Sequence, residues 1–387
     1  MHIGVDATCW HNARGFGRQA RGVLTGLAAI DTENRYTFLT DWPTFEPPLP
    51  AGIAPRHVAA SAPSSEAAGA GGHRTLRDMW RMSRALSDPA YDTLLFPSIY
   101  TYVPVRSRAR KLIFFHDAIA ARYPVLALGT RRARILWRIK ERLGLAQADR
   151  VITVSEYSRR ALAAHFRLPI DQVGVVGEAA DPIFRPLEDP RATPTLEPLD
   201  LARGRVVVYV GGFGPHKNLP HLLESFAAIA VQPGCADVRL LLVGEHRREV
   251  FYSEHARLQA QIDRLVVSDR IRFTGFLPDP DLVILLNLAT VLVLPSLMEG
   301  LGLPALEAAA CGCPVVATRE SALPALLGEG GTYIDPHDPH ALRDALMQVL
   351  ESGPRRRRMA AAGLEATGRL TWERAARELL AIIREAG

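Results

Sequence analysis

A chain of 387 residues, 48% hydrophobic and 22% charged, has an ordinary globular composition and is too long for one typical core, so two domains are expected. Its formal charge of +5 is mild, and its clustered arginines have no aromatic platform or binding module beside them, which argues against nucleic acid as a partner. The four unevenly spaced cysteines (Cys9, Cys235, Cys311, Cys313) do not suggest a disulfide framework, and the longest apolar stretch, Leu282 to Pro295, is broken by Asn287 and too short to span a bilayer.

Met1 to Asp6 enter a strand at once, with no signal peptide ahead of it, so a cytosolic, reducing location is expected. In the first half, apolar runs predict strands at His2–Val5, Tyr36–Leu39, Thr93–Phe96, Lys111–Phe115, Arg150–Val154 and Val173–Val176. Helices fall between them, among them Gly17–Ala29 and Ser158–Phe166. Ser61–Gly72 is rich in Ala, Ser and Gly and reads as a mobile loop. Phe184–Gly204 holds four prolines and four acids without periodicity and reads as a linker. In the second half, strands are predicted at Val206–Gly211, Arg239–Val243, Arg270–Thr274, Val291–Leu294, Pro314–Ala317 and Gly331–Ile334. Helices there include Leu219–Ala230, Glu249–Leu265 and Ala341–Leu350. Apolar strands alternating with helices mean parallel sheets covered on both faces. The fold class is therefore α/β, with two Rossmann-like, doubly wound domains facing each other across a cleft that takes the ligand at the C-terminal strand ends.

The most informative run is Ser296 to Gly312, which follows the strand ending near Pro295. Glu299 and Glu307 bracket a turn made by Gly300, Leu301 and Gly302. Pro304 suits the first turn of a helix and Gly312 its end. Strand, glycine turn and helix N-terminus together present free backbone N–H groups and a positive dipole end to an anion. The flanking carboxylates can hold hydroxyl groups beside that anion. An anion with sugar hydroxyls next to it describes a nucleotide sugar.

Two further glycine turns follow strands. Gly211, Gly212 and Gly214 let the backbone turn sharply before Lys217, whose charge at a helix mouth can meet a phosphate. Gly15 and Gly17, between Arg14 and Arg18, follow the first strand and can close on a diphosphate. Either could also be a plain turn with a solvated cation. His116 and Asp117 end the strand Lys111–Phe115, where a histidine can bond a sugar hydroxyl or a phosphate, or be a satisfied structural residue.

Other patterns are weaker. Asp279 and Asp281 spell a short acidic motif that binds metal in some sugar transferases, but their place before a helix makes one of them an N-cap instead. His337 and His340 also stand at a helix start and lack further ligands. Cys311 and Cys313 read as small buried residues rather than a redox pair. Arg122 to Arg150 carries Arg131, Arg132, Arg134, Arg138, Lys140 and Arg142 interleaved with Leu and Ile, a basic amphipathic helix that fits a membrane surface, an anionic acceptor or plain solvent. Arg74, Arg77, Arg81 and Arg84 form a second stripe with the same ambiguity.

These residues resemble the retaining glycosyltransferases of family 4, the glycosyl transferases group 1, with the GT-B fold. The resemblance covers nearly the whole chain. Glu299 to Glu307 is similar to the family's paired-glutamate signature, with Leu301 where phenylalanine is commoner. Tyr209 to Asn218 resembles its phosphate loop, although Gly212 and His216 stand where an arginine is usual. Val151 to Ser158 resembles the end of the first domain, Arg272 to Leu277 the base-binding strand end, and Thr371 to Glu373 the start of a last helix that returns to the first domain. The implied division is 1–184, a linker 185–204, 205–368 and a returning helix 369–387.

The resemblance implies roles for these positions. Lys217 and His216 would contact the diphosphate beside Gly212, Glu307 would hold the ribose hydroxyls, and Glu299 would hold hydroxyls of the transferred sugar. The backbone of Gly300, Leu301, Gly302 and Leu303 would line sugar and phosphate, and Gly275, Phe276 and Leu277 the base. Gly15 and Gly17 would approach the diphosphate from the first domain, and His116 would lie near the reacting centre, so that His116, Lys217 and Glu299 carry the catalysis. The expected reaction is transfer of a mannose-type hexose from a GDP- or UDP-sugar to a hydroxyl of a glycan or lipid-linked saccharide in bacterial glycan or glycolipid synthesis. It would retain configuration and need neither metal nor cofactor. The expected location is the cytoplasm, with peripheral membrane contact through Arg122–Arg150. A nucleotide-sugar epimerase of the same fold and a non-catalytic nucleotide-sugar-binding protein are the alternatives.

Overall fold

The structure is a computed structural model that describes residues 1–12, 15–64, 75–190, 204–245 and 253–385. It forms two units, one made of Met1–Glu178 with Thr371–Gly387, the other of Ala179–Leu370.

The first unit holds a seven-stranded sheet of β1 (His2–Asp6), β2 (Arg35–Thr40), β3 (Ala54–His57), β4 (Thr93–Phe96), β5 (Arg110–Phe114), β6 (Arg150–Thr153) and β7 (Val173–Val175). Their order is β3-β2-β1-β4-β5-β6-β7, and every neighbouring pair is parallel. Strand order reverses between β1 and β4, so the chain leaves these two strands in opposite directions and opens a crevice at their C-terminal ends. β4 is buried at every residue, and β1 and β5 beside it at most of theirs, as a sheet covered on both faces requires. The edge strand β3 has no counterpart among the predicted strands. Its sequence Ala-Pro-Arg-His is largely exposed, and Pro55 is tolerated only because the strand lies at the edge.

The helix Gly15–Ile30 buries Phe16, Ala20, Val23, Leu24 and Leu27 at helical spacing. The helix Trp372–Glu385 buries Ala375, Ala376, Leu379, Leu380, Ile382 and Ile383 in the same core. A side chain on Gly22 would stand 2.3 Å from the Trp372 ring, so the missing Cβ is what lets these two helices meet. Burial contributes about 1.5–3 kcal/mol for each large aliphatic side chain. The four Leu and Ile residues therefore outweigh the exposed pair Arg384–Glu33, of a kind worth about 0–1 kcal/mol.

The second unit holds a six-stranded sheet of β8 (Val206–Val210), β9 (Arg239–Val243), β10 (Ile271–Gly275), β11 (Val291–Leu294), β12 (Val315–Thr318) and β13 (Gly331–Ile334). The order is β10-β9-β8-β11-β12-β13, again parallel throughout, with the reversal between β8 and β11.

Two sequence boundaries move. Residues 179–184 group with the second unit, not the first, and Phe184 is buried. Positions 185–190 are not a free linker at their start, because the Asn287 amide accepts from Leu187 N at 2.8 Å and donates to Arg185 O at 3.0 Å. The rest of the predicted linker, 191–203, lies outside the described residues. So do 65–72 of the predicted loop, Arg14, Arg74 and the first residues of the helix predicted from Glu249, which is described as His255–Ile262.

Candidate active site

The loops that leave β8 and β11, the two strands at the reversal in the second unit, meet. Lys217 Nζ donates to Glu299 Oε1 at 2.7 Å, and Ser296 Oγ donates to the same oxygen at 2.6 Å. The loop backbones are tied as well, Leu297 N to His216 O at 2.9 Å and Glu299 N to Glu320 O at 2.9 Å. Asn218 fixes the lysine's position from behind. It takes a left-handed conformation at φ 57°, and its amide donates to Pro295 O at 3.2 Å and Pro336 O at 3.1 Å. Asn tolerates that region better than most residues.

Burial raises the Glu299 carboxyl, but the Lys217 charge and hydrogen bond and the Ser296 hydroxyl outweigh it, and the net shift is downward. His216 is held down to about 3 by burial and by the Lys217 charge, so it stands neutral, with a buried Nδ1 that has no hydrogen-bond partner among the described residues. The resting site therefore holds one ammonium against one carboxylate, with a neutral imidazole beside them.

The glycine turn after Glu299 has the expected form. Gly302 sits at φ 94°, and the helix Leu303–Ala310 starts immediately after it with Pro304 in its first turn. A Cβ on Gly302 would press within 2.9 Å of Leu323 as well as straining the backbone. Such a helix start leaves backbone N–H groups without partners inside the helix, an anion site by construction. Glu307 lies on the buried side of this helix, 3% exposed. Gly300, Leu301 and Leu303 are also buried.

The strand ends on the other side of β8 are joined by glycines. Gly211 N bonds Val243 O at 2.9 Å, Gly244 N bonds Gly275 O at 3.1 Å, and a Cβ on Gly244 would lie 2.0 Å from Gly211 O. Phe276, just past Gly275, is exposed, and Leu277 is half-buried. Gly212 faces open space, with nothing within 4 Å of where its Cβ would be, and Tyr209 Oη donates to its carbonyl at 2.5 Å.

In the first unit, Gly17 is fixed by contact. A Cβ there would lie 2.0 Å from the Asn12 carbonyl oxygen, whereas Gly15 has nothing near it. His116 stands past the end of β5 among the rings of Phe114, Tyr100 and Phe16, with centroids 6.2, 6.4 and 6.5 Å away. Burial holds its imidazole down to about 4, and neither ring nitrogen has a partner among the described residues. A buried, neutral, unsatisfied imidazole can donate and accept toward a hydroxyl. At the reversal of this sheet, buried Asp6 accepts from Thr8 Oγ1 at 2.6 Å and Thr101 Oγ1 at 3.3 Å.

One reading from sequence needs correction. Neither Asp279 nor Asp281 caps its helix, because Pro278 occupies the cap. Both lie in the first turn, where they suit the positive helix end. Cys311 and Cys313 are buried, with the Cys311 thiol pushed up to about 12 by burial and by Glu307.

Sequence reasoning brought Lys217, His216 and Glu299 to one place and set Gly302 and Glu307 on the helix beside it. It missed Ser296, Asn218 and Gly244. Ser296 stands three residues before Glu299, and Gly244 ends a strand as Gly211 does, so both signals were present but indistinct.

Residues 199–366 match the family model for glycosyl transferases group 1, and residues 18–182 match that for glycosyltransferase family 4. Among curated relatives, the O-antigen chain mannosyltransferase B of Escherichia coli is 29% identical over 293 residues, covering 76% of this chain and 74% of that protein. A D-inositol 3-phosphate glycosyltransferase of Acidothermus cellulolyticus is 34% identical over 249 residues, covering 62% of this chain but only 54% of its own length. The chain thus spans little more than half of that relative. Among solved structures, a sucrose-phosphate synthase from Thermosynechococcus elongatus superposes with a TM-score of 0.78 at 21% identity, over 100% of this chain and 99% of that one.

Proposed function

The chain belongs to glycosyltransferase family 4, and on that premise we propose that it moves a mannose-type hexose from a GDP- or UDP-sugar to an acceptor hydroxyl, with retention of configuration. The observation that carries this reading is the Lys217–Glu299 pair at the reversal of the second sheet, beside the helix that Gly302 opens. The diphosphate lies at that helix start and draws on Lys217, with neutral His216 beside it. Glu307 holds the ribose, Glu299 the sugar hydroxyls, and Gly275 to Leu277 line the base.

As the glycosidic bond breaks, the departing diphosphate gains negative charge. Lys217 and the backbone N–H groups meet that charge with fixed dipoles, so the chemistry runs without a metal or cofactor. The acceptor hydroxyl attacks on the face the diphosphate leaves, and its proton passes to the departing phosphate oxygen. Glu299 orients the sugar and forms no bond to it. The first unit binds the acceptor, a glycan or lipid-linked saccharide of bacterial glycan synthesis, with His116 as a hydroxyl contact. The mannosyltransferase among the relatives supports the choice of sugar.

The helix Arg131–Gln147 supports a peripheral position on the cytoplasmic membrane face. It exposes Ile135, Leu136, Ile139 and Leu143 together with Arg131, Arg132, Arg138 and Arg142. Calorimetric titration with GDP, UDP and ADP tests the donor site. One diphosphate should bind clearly more tightly, and Lys217→Ala should weaken the binding of all three. Incubation with donor sugar alone should leave the sugar unchanged. Conversion of the donor without acceptor, or tight nucleotide binding with no transfer to any acceptor, overturns the reading.

A further inference from the structure

A cavity of about 250 Å³ lies in the first unit, lined by Ala120, Ala121, Pro124, Leu128, Arg134, Trp137, Arg138, Glu141 and His165. Arg134, Arg138 and Glu141 stand at i, i+4 and i+7 of the helix Arg131–Gln147 and so share one face. The Arg134 guanidinium has no ion pair or hydrogen bond among the described residues, and Arg138 makes no ion pair with Glu141 within 4 Å although its charge acts on that carboxyl. The indole Nε1–H of Trp137 is buried and interacts with the Glu141 carboxyl. Glu141 is buried and lifted to about 7 by burial and by Asp117, against the Trp137 N–H and the Arg138 charge, which favour its ionised form.

The cavity is thus lined by two guanidinium groups, with the Trp137 indole and a carboxyl whose charge burial disfavours beside them. An apolar wall of Ala120, Ala121, Pro124 and Leu128 closes it. Its volume leaves room for one tetrahedral oxyanion and its ester oxygen. Planar guanidinium forks match a phosphate better than any other common group. The residues one position on, Ile135 and Ile139, lie on the adjoining stripe of the helix and are exposed.

We propose that this cavity is a phosphate subsite, which Arg134 and Arg138 clasp from the helix side. The phosphate is carried by the acceptor, a clause that rests on the transferase reading. The subsite's affinity for phosphate does not.

Titrating the full chain with inorganic phosphate and with glycerol 3-phosphate tests the site. Wild type should bind both, and Arg134→Gln with Arg138→Gln should weaken both at least tenfold while melting at the wild-type temperature. With GDP and UDP present at saturation to fill the donor site, wild type should still bind phosphate, and the arginine double variant should bind nucleotide diphosphate unchanged. Vesicles of phosphatidic acid against phosphatidylcholine distinguish the source. Capture by phosphatidic acid that is lost in the double variant marks a lipid phosphate, and glycerol 3-phosphate binding without such capture marks a soluble one. Absence of phosphate binding in wild type, or its loss once nucleotide fills the donor site, overturns the subsite. Failure of nucleotide to bind wild type would instead sink the donor site and leave the phosphate result standing.

Discussion

Lys217 and Glu299 hold each other at 2.7 Å across two loops that leave neighbouring strands. Their side chains are 20% and 10% exposed, so water reaches neither fully. On the proposed reading, a diphosphate arriving at the Gly302 helix start meets a cation already placed and already paired.

A thermodynamic cycle follows from that pairing. Removing one member of a buried pair strands the other, at a cost of up to about 3–5 kcal/mol, whereas removing both can be nearly neutral. Partial exposure puts the expected loss for Lys217→Met at about 2 kcal/mol. The double variant Lys217→Met with Glu299→Gln should recover most of it in denaturant melts. A double variant less stable than the single one contradicts the pairing.

Turnover should separate the two residues. Losing one fixed donor to a developing oxyanion costs about 3 kcal/mol, or roughly a hundredfold in kcat. Lys217→Ala should therefore lower kcat on that order and weaken nucleoside-diphosphate binding, while Glu299→Gln should spare nucleotide affinity and raise KM for the sugar donor. Equal loss of free nucleotide binding in both variants would show that Glu299 does not act on the sugar.

Gly302 has two reasons to be glycine, φ 94° and Leu323 at 2.9 Å. Gly302→Ala should cost about 1–3 kcal/mol of stability. Chemical unfolding of Gly302→Ala beside Gly15→Ala, where nothing lies within 4 Å, is the control. Similar midpoints for the two variants count against the strained turn.

Glu141 gives a pH signature. Its folded pKa, about 7, lies above the ordinary 4.5, so the folded state holds the proton more tightly. The stability this adds is complete below pH 4.5 and is lost as pH rises through about 7. The loss is at most about 3 kcal/mol. Wild type should lose stability between about pH 5 and pH 8, and Glu141→Gln should lose less. Parallel profiles would show that the carboxyl is not lifted.

The sheets were legible because a strand buried on both faces must be apolar throughout, as Val206–Val210 and Val291–Leu294 are. The edge strand Ala54–His57 escaped because an exposed edge places no such demand on its residues. Glu299 and Lys217 were legible as types at strand ends, but their direct bond was not. It depends on the reversal in strand order, a property of the whole sheet that no local spacing carries. Residues 179–190 read as a boundary by composition, whereas the Asn287 amide, about a hundred positions away, decides where they dock.

The first unit's core is assembled from both ends of the polypeptide, since Leu379 and Ile383 cover Val23 and Leu27. Synthesis delivers residues in order at about 5–20 per second, so the helix Gly15–Ile30 is made roughly 20–70 s before its covering helix. The second unit, contiguous from Ala179 to Leu370, is delivered whole within that interval. During translation the nascent first unit thus keeps an apolar stripe bare until the last helix emerges, and nascent-chain proteolysis should find it the later of the two to become resistant.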